Sequence, residues 1–141
     1  MATTVEGAIQ EALLARLASL VLNPVHTVAW PNNNFTKPTN NRFLEAKFVP
    51  NGAARVFIGS SDPHRRIGFL QVNVRDGLNQ GPRVVDTAGL VAAHFPADLQ
   101  LPHAFGLTVR ITAAPDVSDM IVETTPPGVL VPVLVPFECW A

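Results

Sequence analysis

Phe43-Leu44-Glu45-Ala46-Lys47-Phe48-Val49 alternates without a break. Successive strand side chains point to opposite sides, so Leu44, Ala46 and Phe48 share one face and Glu45 and Lys47 the other. Such a strand suits an antiparallel sheet that is covered on one face and wet on the other. Outward from it, Ile67 to Arg75 repeats the pattern with Leu70, Val72 and Val74, and Leu107, Val109 and Ile111 alternate with Thr108, Arg110 and Thr112. Pro50-Asn51-Gly52 is expected to turn the chain into a return strand over Ala54 to Ile58, making a three-stranded meander. A short strand is expected over Val25 to Trp30, and the last over Val129 to Cys139. In that last strand Pro132 and Pro136 stand four apart, so both missing N–H donors face the same side. The expectation is a sheet edge blunted against aggregation.

A half-wet sheet needs its apolar face covered, and two helical stripes offer themselves. Val5, Ile9, Leu13, Leu17 and Val21 recur every four residues, widened by Ala8, Ala12 and Leu20, with Thr3 and Glu6 at capping-box spacing and Asn23-Pro24 as the stop. Pro82 then opens a second stripe of Val84, Val85, Ala88, Val91, Ala92 and Phe95, closed by Pro96. The predicted fold is α+β: a mainly antiparallel sheet with two helices packed on it. Leu13, Leu17, Phe48, Val72, Ala88 and Val91 are expected in its core. Pro31 to Asn41, rich in Asn and Pro, and Gly59 to Arg66 are expected to project as the most mobile loops.

The 141 residues suit a single domain, 1–141. Only 15% of them are charged, against a usual figure of about 25%, which leaves a surface suited to being partly covered by partners. Ten basic and eleven acidic side chains give a net charge of −1, so no basic excess drives specific nucleic-acid binding. No uncharged apolar run reaches membrane-spanning length, and Glu6, Glu11 and Arg16 interrupt the N-terminal apolar stretch, so a soluble chain with no membrane partner and no secretion signal is expected. The single cysteine, Cys139, excludes an internal disulfide and a cysteine-based zinc cluster.

Catalytic constellations are weak. Ser60, Ser61, Asp62 and His64 crowd one loop, but a serine nucleophile needs a strained turn and partners from other elements, so Asp62-Pro63 reads as turn chemistry. His26, His64, His94 and His103 lack the spacing that puts two imidazoles on one helix face. Gly77-Leu78-Asn79-Gln80-Gly81 lacks the lysine of a phosphate loop, and Asp86, Asp98, Asp116 and Asp119 form no acid–base pair. No catalytic residue, metal site or cofactor is expected. Aromatic and arginine side chains anchor protein interfaces, which makes Trp30, Phe35, Arg65 and Arg66 the candidate contact residues.

Trp30-Pro31-Asn32 leading to Phe35 and Pro38, Phe48-Val49-Pro50-Asn51, Arg55-Val56-Phe57-Ile58-Gly59-Ser60-Ser61, and Val135-Pro136-Phe137-Glu138-Cys139 together resemble the phage tail terminator-like proteins of tailed phages and prophages. The resemblance spans nearly the whole chain and implies a structural virion protein. In that family's manner it would form a homohexameric ring, cap the tail tube, stop tube-protein polymerisation and present a head-tail joining surface. The implied partners are further copies of itself, the tail tube protein and a head-completion or connector protein. The implied location is the virion tail, after assembly in the bacterial host cytoplasm. The rival readings are a monomeric protein-binding module and a small hydrolase using Ser61 and His64.

Overall fold

A computed structural model describes residues 2–125 and 127–141. Helix α1 (Val5–Ala18) is followed by strands β1 (Thr27–Ala29), β2 (Phe43–Ala54) and β3 (Arg65–Asp76), then helix α2 (Arg83–Ala93). Five strands complete the chain: β4 (Gln100–Pro102), β5 (Thr108–Ile111), β6 (Asp116–Val117), β7 (Ile121–Thr124) and β8 (Pro127–Trp140). The architecture is α+β, with a mixed sheet in which β1 runs parallel to β2 and the other pairings are antiparallel.

The sheet order is β1-β2-β3-β8-β5-β4, with β6 and β7 also on β8. From Arg65↔Trp140 to Asp76↔Val129 the β3–β8 register never slips. It places Leu70 beside Val135, Val72 beside Val133 and Val74 beside Val131 on one face, and β2 adds Leu44 and Ala46 to that face. Ala8, Ile9, Leu13 and Leu17 of α1 and Val84, Ala88 and Val91 of α2 join the same core cluster. The opposite face is polar. There Gln71 donates to Asn73, Asn73 donates to Glu45, and Arg75 bridges Glu45 at 3.1 Å and Glu123 at 2.6 Å.

The C-terminal ends of the two helices are tied together. Arg16 Nε donates to the His94 carbonyl at 3.0 Å, and His94 Nε2 lies 2.8 Å from the Arg16 carbonyl and 2.9 Å from Ser19 Oγ. The His94 carbonyl, at the end of α2, gains a donor in this way, and the Arg16 carbonyl, which already accepts the Ser19 N–H, gains a further partner. Burial pulls the His94 imidazole below its ordinary range; the bond to the Arg16 carbonyl opposes this, and the Arg16 charge adds to it.

Several sequence expectations need correction. Thr4 caps α1, accepting the Gly7 N–H, so the Thr3–Glu6 spacing is displaced by one residue from the cap in use. Because α1 ends at Ala18, Val21 leaves the four-residue series and is 86% exposed. Phe48 is half-buried, whereas Leu13, Leu17, Val72, Ala88 and Val91 are buried. In α2 the inward positions include Thr87, while Val85 faces out. Pro50 to Gly52 does not end the strand. The partner of Pro50 is Gly68 and that of Ala53 is Arg66, so β2 carries one extra residue, a β-bulge, with Gly52 at φ +94°. Ala54 to Ile58 is therefore no return strand; β3 pairs with β2 instead, and residues 55–64 connect them. Arg65 and Arg66 belong to β3 rather than to that loop.

The proline-bearing strand is not an edge. The Pro136 carbonyl accepts the Thr112 N–H and the Pro132 carbonyl accepts the Ser118 N–H, so both prolines turn toward the side of β5, β6 and β7. N–H and C=O of one residue in a strand point the same way, so the missing donors fall at the gaps between those short strands.

Gly68 of β3 is crowded by both β2 and β8. A Cβ there would lie 2.5 Å from the Val49 carbonyl oxygen, 2.9 Å from Pro50 Cα and 2.9 Å from Phe137 Cζ, beside the stacked rings of Phe48 and Phe137. Gly68→Ala is expected to lower stability by about 2 kcal/mol, the scale of overpacking a tight site. Leu70→Ala, at a fully buried position, is expected to cost about 3 kcal/mol through the cavity it leaves. Urea unfolding measures both. A Gly68→Ala midpoint equal to wild type would mean that the bulge is free to shift.

Candidate protein interaction surface

The crowded loop after β2 is built as a turn. The Gly59 N–H donates to the Asp62 carboxylate at 3.0 Å, and the Asp62 N–H returns to the Gly59 carbonyl at 3.2 Å. His64 exchanges both backbone hydrogen bonds with Ala141 at 3.0 Å. Asp62 thus shapes the bend and does not orient an imidazole. Among the described residues, no three His, Cys, Asp or Glu side chains lie close enough to hold a metal, and no helix is long and apolar enough to cross a membrane.

Charge in this subunit is turned inward on itself. Six of the ten basic side chains, Arg42, Arg65, Arg66, Arg75, Arg83 and Arg110, stand in ion pairs. Of the candidate contact residues, Arg65 reaches Glu138 at 2.9 Å, and Arg66 pairs with Glu6 and donates to the Ala141 carbonyl. Asp76, 2% exposed, is the most buried acid. Burial pushes its carboxyl upward, but the hydrogen bonds from Arg83 and the Gly77 N–H, with the charges of Arg83 and Arg42, outweigh this and hold it below the usual carboxylate range.

Exposed apolar side chains, too, are concentrated at particular places. One is a groove of about 330 Å³. Leu17 and Leu44, almost fully buried, lie at its base with half-buried Val28 and Trp30; Val21 and Val25, 86% and 85% exposed, form its rim. A second is the connection after the bulge, where residues 50–63 are all exposed and Ile58 reaches 94%. Arg55 wraps this segment, donating to the carbonyls of Phe57 and Ile58, and the Phe57 ring lies 5.7 Å from that of Trp140. A third holds Leu78, Met120 and Val122.

Trp30 therefore belongs to a groove, while Phe35 packs on Phe43, ring centres 5.0 Å apart, and fastens the Asn-rich loop to β2. Trp30 lies near the first residues of β2, whereas Arg65 and Arg66 pair with its last. Sequence reading did not find Val21, Val25 or Val56 to Ile58 as surface residues. Two of them, Val25 after Pro24 and Ile58 before Gly59, carry a sequence signal, an apolar residue beside a chain-breaking one.

A family model described as phage tail terminator protein matches residues 8–137. No curated protein matches the sequence. One solved structure resembles this one over 96% of this chain and 92% of its own, with a TM-score of 0.69 at 24% sequence identity, a likeness of fold.

The Asp76 cluster makes the subunit sensitive to acid. A carboxyl whose folded pKa is depressed contributes stability that is present above its unfolded value, about 3.9, and lost as pH falls toward the folded one. Asp76→Asn is expected to cost about 3 kcal/mol at pH 7, because the arginines lose their buried anion. The gap between wild type and variant should close below about pH 4. Urea midpoints measured from pH 7 downward test this; a gap independent of pH would show that Asp76 contributes by shape alone.

Proposed function

Because this chain belongs to the phage tail terminator protein family, we propose that it ends the tail tube as a ring of identical subunits and offers the head-tail joining surface on its far side. The family is a structural one, of the phage tail, so the work asked of the chain is recognition. A growing tube re-creates with each added ring the face that the ring itself bound. A terminator matches that face on one side and presents a different one on the other, so growth stops without turnover or cofactor. The family match over residues 8–137 is the observation that carries this reading.

The charge-poor surface supports it. Ring subunits each carry two interfaces to neighbours besides the tube contact, and interface centres are depleted of charge and enriched in aromatic side chains. Trp30, in the groove, is the anchor best placed for such a contact. Arg65 and Arg66 remain candidate contacts to an acidic partner through whatever part of each guanidinium its own carboxylate leaves free. A monomeric binding module would use the same groove, and solution mass separates the two readings.

Adding the chain to polymerising tail tube protein is expected to shorten the tubes in proportion to the amount added, with the chain at tube ends only. Electron microscopy of tube lengths and ends measures this. An unchanged length distribution, or binding along the tube wall, would sink the capping reading.

A further inference from the structure

We infer that neighbouring subunits join by seating the Val56–Ile58 segment of one copy in the Val21–Val25 groove of the next. The inference rests on the ring reading above and names the contact that closes the ring. A cyclic assembly of identical subunits needs a head-to-tail contact, in which two different surfaces of one chain complement each other. This chain has such a pair. One is a concave apolar groove of about 330 Å³, and the other an exposed segment whose Ile58 is 94% exposed.

Their placement excludes pairing within one subunit. The groove reaches Leu44 at the start of β2, and the projecting segment leaves from Ala54 at its end. A strand of that length separates them by about 30 Å at ~3.3 Å per residue. Each contact therefore carries the assembly forward by roughly one subunit, and the same contact repeats until the rotation closes.

Chemistry and area agree with a second copy as the occupant. From Val56 to Ser61 the projecting segment has no charged residue, and His26 is the one ionisable group lining the groove; the charge beside the docked residues, the Arg55 guanidinium, is held by the Phe57 and Ile58 carbonyls. The segment is also held ready. Arg55 fixes the carbonyls of Phe57 and Ile58, and Asp62 fixes Gly59, which lowers the ordering cost of binding. A standard interface covers about 800 Å² per partner, roughly a tenth of this subunit's 7917 Å². Fourteen consecutive residues, 50–63, are exposed and available to such a contact.

Two variants test this, each at an exposed site where substitution leaves folding cooperative: Ile58→Asp in the segment and Val25→Asp on the groove rim. Light scattering of the wild-type chain up to millimolar concentration is expected to give a multi-subunit species, and each variant alone a monomer. A mixture of the two variants retains one intact groove and one intact segment, so it should yield a one-to-one heterodimer that grows no further. Thermal unfolding near the wild-type temperature establishes that both are folded. If the wild type assembles and the variants assemble equally well, the pairing is overturned and the ring reading stands. If the variants are monomeric but do not pair when mixed, the contact is not head-to-tail between these surfaces. A wild-type chain that stays monomeric throughout overturns the ring reading and this contact with it.

Discussion

Strand β8 has to hydrogen-bond on both sides while carrying two prolines that lack donors on the same side. The solution is asymmetric. On the side with all donors present, β3 runs beside it in one unbroken register. On the other side no continuous strand fits, and the chain supplies three short pieces, β5, β6 and β7, with irregular backbone between them. Backbone groups left unpaired inside a sheet are costly, so the breaks come where β8 has nothing to donate. The proline spacing in one strand thus explains the fragmented chain from residue 108 to 124.

This arrangement leaves β2, β3 and β8 as the long, regular part of the sheet and divides its chemistry by face. One face is aliphatic and takes both helices; the other is a network of Glu45, Asn73, Arg75 and Glu123. Nine of the charged residues are paired there and around Asp76 and Glu138. Exposed apolar side chains gather toward the two ends of β2, a distribution suited to the proposed head-to-tail contact.

Long alternating runs were legible in the sequence because burial on one face imposes a period of two on every strand that shares it. Leu44 with Ala46, Leu70 with Val72 and Val74, and Val109 with Ile111 were all placed by that rule. The helical stripes were legible for the same reason, apart from their ends. Val21 kept the spacing by chance after α1 had stopped. Strands β4, β6 and β7 bury no residue fully on either face, so burial imposes no alternation on them. Pro50-Asn51-Gly52 has the composition of a turn, and its being a bulge depends on the pairing of β2 with β3, a strand that begins more than ten positions later. Trp30 and Arg65 were legible as residue types suited to contacts. The groove was not, since it depends on how three separate segments meet.

The bulge has a further consequence for how copies of this chain can meet. β1 covers β2 only from Phe43 to Glu45, so among the described residues the outer side of β2 from Lys47 onward has no partner strand. A long bare side of this kind invites another chain to add a strand without limit. Here the invitation is withdrawn by Pro50, which offers no donor, by the kink that follows it, and by Lys47, whose charge resists being covered. Backbone pairing between subunits, which any exposed strand could satisfy, is thereby made unfavourable. In the proposed ring, association is therefore left to side chains, whose contacts are selective enough for an assembly to have a fixed membership and to stop.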